Sequence, residues 1–161
     1  MPFSFQGKPA TASIAGLTIN PVGVSVIDFA IPAGVRRLTL LSSRLKVEGG
    51  VIVRFGTSSG VLTSGYYSLN HYIVASAAGL AQETEGGLLV PNCGYGPNSS
   101  FCMTFYRISP NDWNVTGQSK DGVYNANITS GNISLPGELT TFRYINPVPI
   151  TVGSLQLLWE F

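Results

Sequence analysis

The chain has 161 residues, of which 44% are hydrophobic, only 11% are charged and 29 are glycine or proline (19 plus 10), and nine basic against eight acidic side chains leave a formal net charge of +1. That length closes one sizeable core without metals or multiple disulfides, and a charge this thin and balanced excludes the concentrated basic field of a nucleic-acid binder. No apolar run approaches the ~20 residues of a membrane helix, and Met1 is not followed by the basic and apolar regions of a secretory leader, so no membrane insertion is expected and the chain reads as made in the cytosol.

Residues 1–20 mix Pro, Gly, Ser and Thr with single apolar residues and show no sustained period; they read as an N-terminal arm or a leading edge strand. Residues 21–161 read as a single domain. From Val24 the pattern becomes period-two, with Ile27, Phe29 and Ile31 on one face and a stop at Pro32-Ala33-Gly34. Leu38 and Leu40 share a face in the next strand, with Arg37 and Thr39 opposite. After the turn Glu48-Gly49-Gly50 come Val51, Val53 and Phe55 on one face, then Gly56-Thr57-Ser58-Ser59-Gly60. That stretch is a turn and not a phosphate loop, because it lacks the Lys-Ser/Thr ending and no helical period follows.

Residues 69–91 are expected to form an irregular connection with one short helical turn in their alanine-rich middle, ending in a short strand at Leu88 to Val90. Cys93 and Cys102 flank a turn-rich segment; without a secretory leader both are expected as reduced thiols. Phe101, Met103 and Phe105 alternate through a strand that turns at Ser109-Pro110-Asn111-Asp112 into a hairpin partner, Trp113 to Gln118. Val123 to Thr129, Leu139 to Ile145 and Ser154 to Phe161 follow, separated by Ser130-Gly131-Asn132 and Asn146-Pro147-Val148-Pro149. Eight to ten short strands with regular turns and no long helical period predict an all-β fold, an antiparallel sandwich.

Groups suited to catalysis are sparse. His71 is the one histidine, and with two cysteines it makes no spaced zinc set. Glu83 and Glu85, or Asp112 and Asp121, supply carboxylates without the spacing of a calcium loop. No catalytic residue, metal or cofactor is expected. Asn98, Asn114, Asn127 and Asn132 begin N-x-Ser/Thr triplets, expected unmodified without a leader. Tyr66, Tyr67, Tyr72, Tyr95 and Trp113 are the aromatic candidates for stacking on a glycan. A surface so poor in charge, on a chain of positive mean hydropathy, leaves apolar area beyond its own core and predicts a homo-oligomer. Arg36, Arg37, Phe3 and Phe5 are the candidate assembly contacts.

Ile31-Pro32, Val35-Arg36-Arg37-Leu38-Thr39, Gly56-Thr57-Ser58-Ser59-Gly60 and Thr63-Ser64-Gly65-Tyr66 together resemble a module of bacteriophage tail-fibre and related virion proteins. In that module an "IP-x-x-V-[KR]-R-[IL]-T" strand precedes a "G-[TD]-S-x-G" turn and "x-T-x-G-Y". The stretches LTTFRYI and ITVGSLQLLWEF resemble its closing pair. The likeness spans residues 24–67 and 139–161 and leaves a divergent middle. It implies a jelly-roll-like sandwich and a non-enzymatic virion structural protein: a short tail fibre, tail-tip component or capsid decoration. It further implies trimeric assembly, contact with other virion proteins and with a host surface glycan, and location in the virion after synthesis in host cytoplasm. A stand-alone carbohydrate-binding module is the second reading.

Overall fold

The computed structural model describes residues 14–45, 50–74, 77–91, 100–121 and 125–161. The alternating segments become thirteen strands: β1 (Ile14–Ile19), β2 (Val26–Ala30), β3 (Arg37–Ser43), β4 (Ile52–Thr57), β5 (Gly60–Val61), β6 (Tyr66–Val74), β7 (Ala77–Thr84), β8 (Leu88–Leu89), β9 (Ser100–Arg107), β10 (Asp112–Asp121), β11 (Asn125–Ser134), β12 (Thr141–Ile145) and β13 (Ser154–Glu160). They form an eight-stranded sheet, β1-β13-β3-β9-β10-β11-β6-β7, and a five-stranded sheet, β2-β12-β4-β5 with β8 also on β4. Every pairing among the described residues is antiparallel.

The order contains a jelly roll. Strands β1-β13-β3-β9 of the large sheet belong with β2-β12-β4-β8 of the small one, as the chain crosses back and forth between sheets. The remaining strands, β10, β11, β6 and β7, widen the large sheet beyond that framework. The sheets meet through large side chains. Phe55 of β4 lies 5.5 Å from both Phe105 of β9 and Trp113 of β10, and Phe142 of β12 lies 5.1 Å from Phe105, edge to face. Such contacts add to the area these rings bury.

The faces read from the sequence hold through this core: Phe29, Ile31, Leu38, Leu40, Val51, Val53, Phe55, Phe101, Met103 and Phe105 are all buried. The last predicted strand, Ser154 to Phe161, ends one residue sooner as β13, and Phe161 is exposed beyond it.

Two expectations are corrected. Residues 69–91 contain no helical turn among the described residues; β6 and β7 pair through most of them, with a register shift at Asn70/His71. The inward row of β6 is Tyr66, Ser68 and Asn70, all buried, so its alternation is polar where an apolar one is normally sought. Ser130-Gly131-Asn132 is not a separator but the interior of β11. Gly131 is needed there by proximity, since a Cβ would stand 2.5 Å from the Tyr67 carbonyl oxygen. The turn Glu48-Gly49 and the cysteine-flanked segment around Cys93 lie outside the described residues.

Candidate functional site: an outer sheet face and its open edge

Two surfaces stand out: the outer face of the large sheet, which carries several of the side chains singled out in the sequence, and the flank where β1 and β2 end the two sheets. The ladder registers place Glu160, Arg37, Tyr106, Asn114, Asn132 and Tyr67 in one row across six neighbouring strands. The next row is Leu158, Thr39, Thr104, Thr116, Ser130 and Leu69.

Within the first row, Arg37 is engaged by its own chain. Its Nη1 stands 3.3 Å from Glu160 Oε1, and its guanidinium lies 5.4 Å from the centre of the Tyr106 ring. Arg36 points elsewhere. Its backbone bridges β13 and β9, donating to Glu160 O and accepting from Arg107 N, while its exposed side chain lines a depression of about 400 Å³ with Arg107 and Ile108. Consecutive residues on a strand point to opposite sides, so the Arg36-Arg37 pair is divided by geometry.

The aromatic candidates divide too. Tyr66 and Trp113 are each only 2% exposed and face the core. The Tyr66 hydroxyl crosses to the small sheet, where Phe55 N donates to it at 2.8 Å and the oxygens of Phe55 and Leu62 accept at 3.3 and 3.2 Å. Burial raises its pKa, so it stays neutral. Trp113 packs on Phe55. Neither ring offers a face to a sugar. Tyr67 is exposed and Tyr72 is partly so. Tyr95, Phe3 and Phe5 lie outside the described residues. Tyr106, exposed beside Arg37, was not singled out in the sequence, because alternation in β9 marks its face as outward without distinguishing it from any other surface tyrosine.

The acidic candidates have structural partners. Asp112 caps the β9–β10 turn by accepting from the Ser109 and Ser134 hydroxyls, which hold its carboxyl below the usual range. Asp28 of β2 accepts from Arg143 Nε and Nη2 at 2.7 Å each, and that bidentate pairing lowers its pKa against a smaller opposing effect of burial. Glu85 is exposed. His71 faces outward in β6, opposite Ile128 and Leu80. No three His, Cys, Asp or Glu side chains converge as a metal site among the described residues. Cys102 is a free, half-buried thiol on the outer face, opposite Leu41 and Gln118. It borders a depression of about 530 Å³ lined also by Leu41, Lys120 and Ile128. Of the N-x-Ser/Thr asparagines, Asn114 and Asn132 are exposed and directly opposite each other, Asn127 is buried, and Asn98 is outside the described residues.

The flank is apolar. Ile14 and Leu17 of β1, Val22 and Val24 in the connection, and Val26 of β2 are all exposed, as are Val148 and Val152 in the 146–153 loop. Backbone bonds from Gly23 N to Ile150 O and from Ile150 N to Val24 O tie that loop to the connection. Sequence patterning missed this flank, because each residue alone is an ordinary surface aliphatic and only the fold gathers them.

No protein-family model and no curated protein matches the chain. Among solved structures, one described as "Structure of infectious bursal disease virus Gx strain" is similar over 99% of this chain and 44% of that chain, at 11% identity and a TM-score of 0.14. A likeness at that level carries no argument about fold or function.

Proposed function

We propose that the protein is a non-catalytic structural component of a phage-type virion, a jelly-roll block that associates with further copies of itself and with other virion proteins. The observation that carries the reading is the run of exposed aliphatic side chains along the β1/β2 flank, from Ile14 to Val26 and across to Val152. Apolar side chains left exposed beside an open sheet edge favour association. The sequence resemblance supplies the virion context. Its two stretches, residues 24–67 and 139–161, contain β2 to β5, β12 and β13, whereas its divergent middle contains the strands that widen the large sheet.

The test has two parts. Light scattering at micromolar concentration is expected to give a multiple of the 17.1 kDa chain mass, and proteomic analysis of purified particles is expected to find the chain in stoichiometric amount. A single-copy mass together with absence from particles would exclude the proposal.

One observation favours glycan binding as a second activity, on the outer face of the large sheet. Tyr106 and Tyr67 bracket Asn114 and Asn132 in one exposed row, and aromatic faces with intervening amides suit stacking on sugars and hydrogen bonding to their hydroxyls. Glycan-array binding lost in both Tyr67→Ala and Tyr106→Ala would support it; an array without hits would remove it.

A further inference from the structure

Five strands have a hydrogen-bonded neighbour on one side only among the described residues, β1, β2, β5, β7 and β8, and all but β1 carry features that discourage another strand from joining, β8 being only two residues long. On β2, Asp28 is locked to Arg143. Edge strand β5 is two residues long. On β7, the register shift against β6 breaks the ladder, and Gln82 and Glu83 put polar and charged residues in the strand. Strand β1 carries none of these. Its sequence, IAGLTI, has no charge and no proline, and its pairing with β13 runs through six residues without a bulge.

β1 is also poorly used by its own molecule. Five of its six residues are exposed, and only Ile19 packs on the core. Register places Ala15, Leu17 and Ile19 on the inward face, opposite Trp159, Leu157 and Leu155 of β13. Leu17 there remains 49% exposed, and Ala15 is too short to cover the partly exposed Trp159 opposite it. Among the described residues no strand lies on the outer side of β1. A row of backbone donors and acceptors and an apolar inward face are therefore presented together.

We infer that this edge pairs with the β1 edge of a second copy, antiparallel about a two-fold axis perpendicular to the sheet, joining two large sheets into one. The inference rests on the assembly reading and names its contact. A second copy is favoured because β1 complements itself. Such an axis keeps inward faces together, so residues pair only within the same face. Centring on Leu17 sets Leu17 against Leu17 of the second copy and Ala15 against its Ile19, apolar against apolar. Gly16 then faces Thr18, and no like charges meet. The connection bearing Val22 and Val24 follows β1 directly, which places further apolar surface beside the joint.

The experiment uses the full chain. With Cys93→Ser and Cys102→Ser as background, Leu17→Cys is expected to give a disulfide-linked dimer on mild oxidation, because directly opposed residues lie within disulfide reach. Thr18→Cys, whose counterpart is displaced along the strand, is expected to crosslink several-fold less. Leu17→Lys is expected to bring the wild-type two-copy mass down to one copy with the far-ultraviolet dichroism unchanged. If the wild-type mass is a multiple of one copy but Leu17→Lys leaves it intact and Leu17→Cys does not crosslink, the edge pairing is wrong and the assembly reading stands. A three-copy mass has the same meaning, since a closed trimer cannot use a self-paired edge. A one-copy wild type removes the edge pairing, and together with absence from particles it removes the assembly reading too.

Discussion

Tyr66 shows how one residue read as a surface aromatic becomes part of the frame. Its ring fills the core on the large-sheet side, and its hydroxyl bonds Phe55 N and O in β4 of the small sheet. Removing the hydroxyl leaves a buried amide without its acceptor, so Tyr66→Phe is expected to lower stability by about 1–3 kcal/mol in urea unfolding. Trp113 and Tyr66 were legible as aromatics but not as buried ones, because each follows a turn, where exposure is the ordinary outcome. Asp28 carries a smaller effect with a defined pH sign. Its folded pKa is depressed by Arg143, so the stabilisation is present above the ordinary carboxylate value of about 3.9 and lost as the pH falls through the lower folded value. The pair is about half exposed and worth under about 1 kcal/mol. The melting-temperature gap between wild type and Asp28→Asn should accordingly close on acidification, and narrow with added salt at neutral pH.

At the scale of elements, β11 and β6 are the informative pair. Patterning stopped the strand at Ser130-Gly131-Asn132 because those residue types normally turn a chain. In the structure they continue it, and Gly131 allows the Tyr67 carbonyl and the Leu88 side chain to approach. Gly131→Ala is expected to force β6 from β11 and cost several kcal/mol, on the order of 2–4, measured as a shift of the denaturation midpoint. On the outer faces of β9, β10 and β11, Thr and Ser follow one another from strand to strand, as Thr104, Thr116 and Ser130 do. Gly153 marks a second constraint: at φ +110° it lies against the backbone of Leu45, where any side chain would meet Leu45 Cα at 2.5 Å.

For the whole molecule, the low charge read from composition and the apolar flank seen in the fold bear on the same property. Association through backbone hydrogen bonds and aliphatic contact is not screened by ions as charge pairing is. Oligomer mass is therefore expected to persist in about 1 M salt, measured by light scattering, whereas an assembly held by Arg36 and Arg107 would dissociate. Strength of association is also expected to fall on cooling, as for other contacts dominated by apolar burial.

The order of amino acids alone settles which side chains turn inward along β2, β3, β4 and β9, because alternation is a local property of an extended chain with one face against a core. It also determined the all-β class and the low surface charge. Apart from the β9–β10 hairpin, which its turn announces, which strands meet is settled in three dimensions, since pairing joins residues as distant as Phe29 and Phe142 or Ile14 and Glu160 and leaves no local trace. The strand character of β6 was hidden for a related reason: its inward side chains are polar, and a pattern search weighs only the apolar ones. The edge position of β1 is likewise a fact about what lies beside it among the described residues, and a strand's own residues cannot say whether it will be central or last.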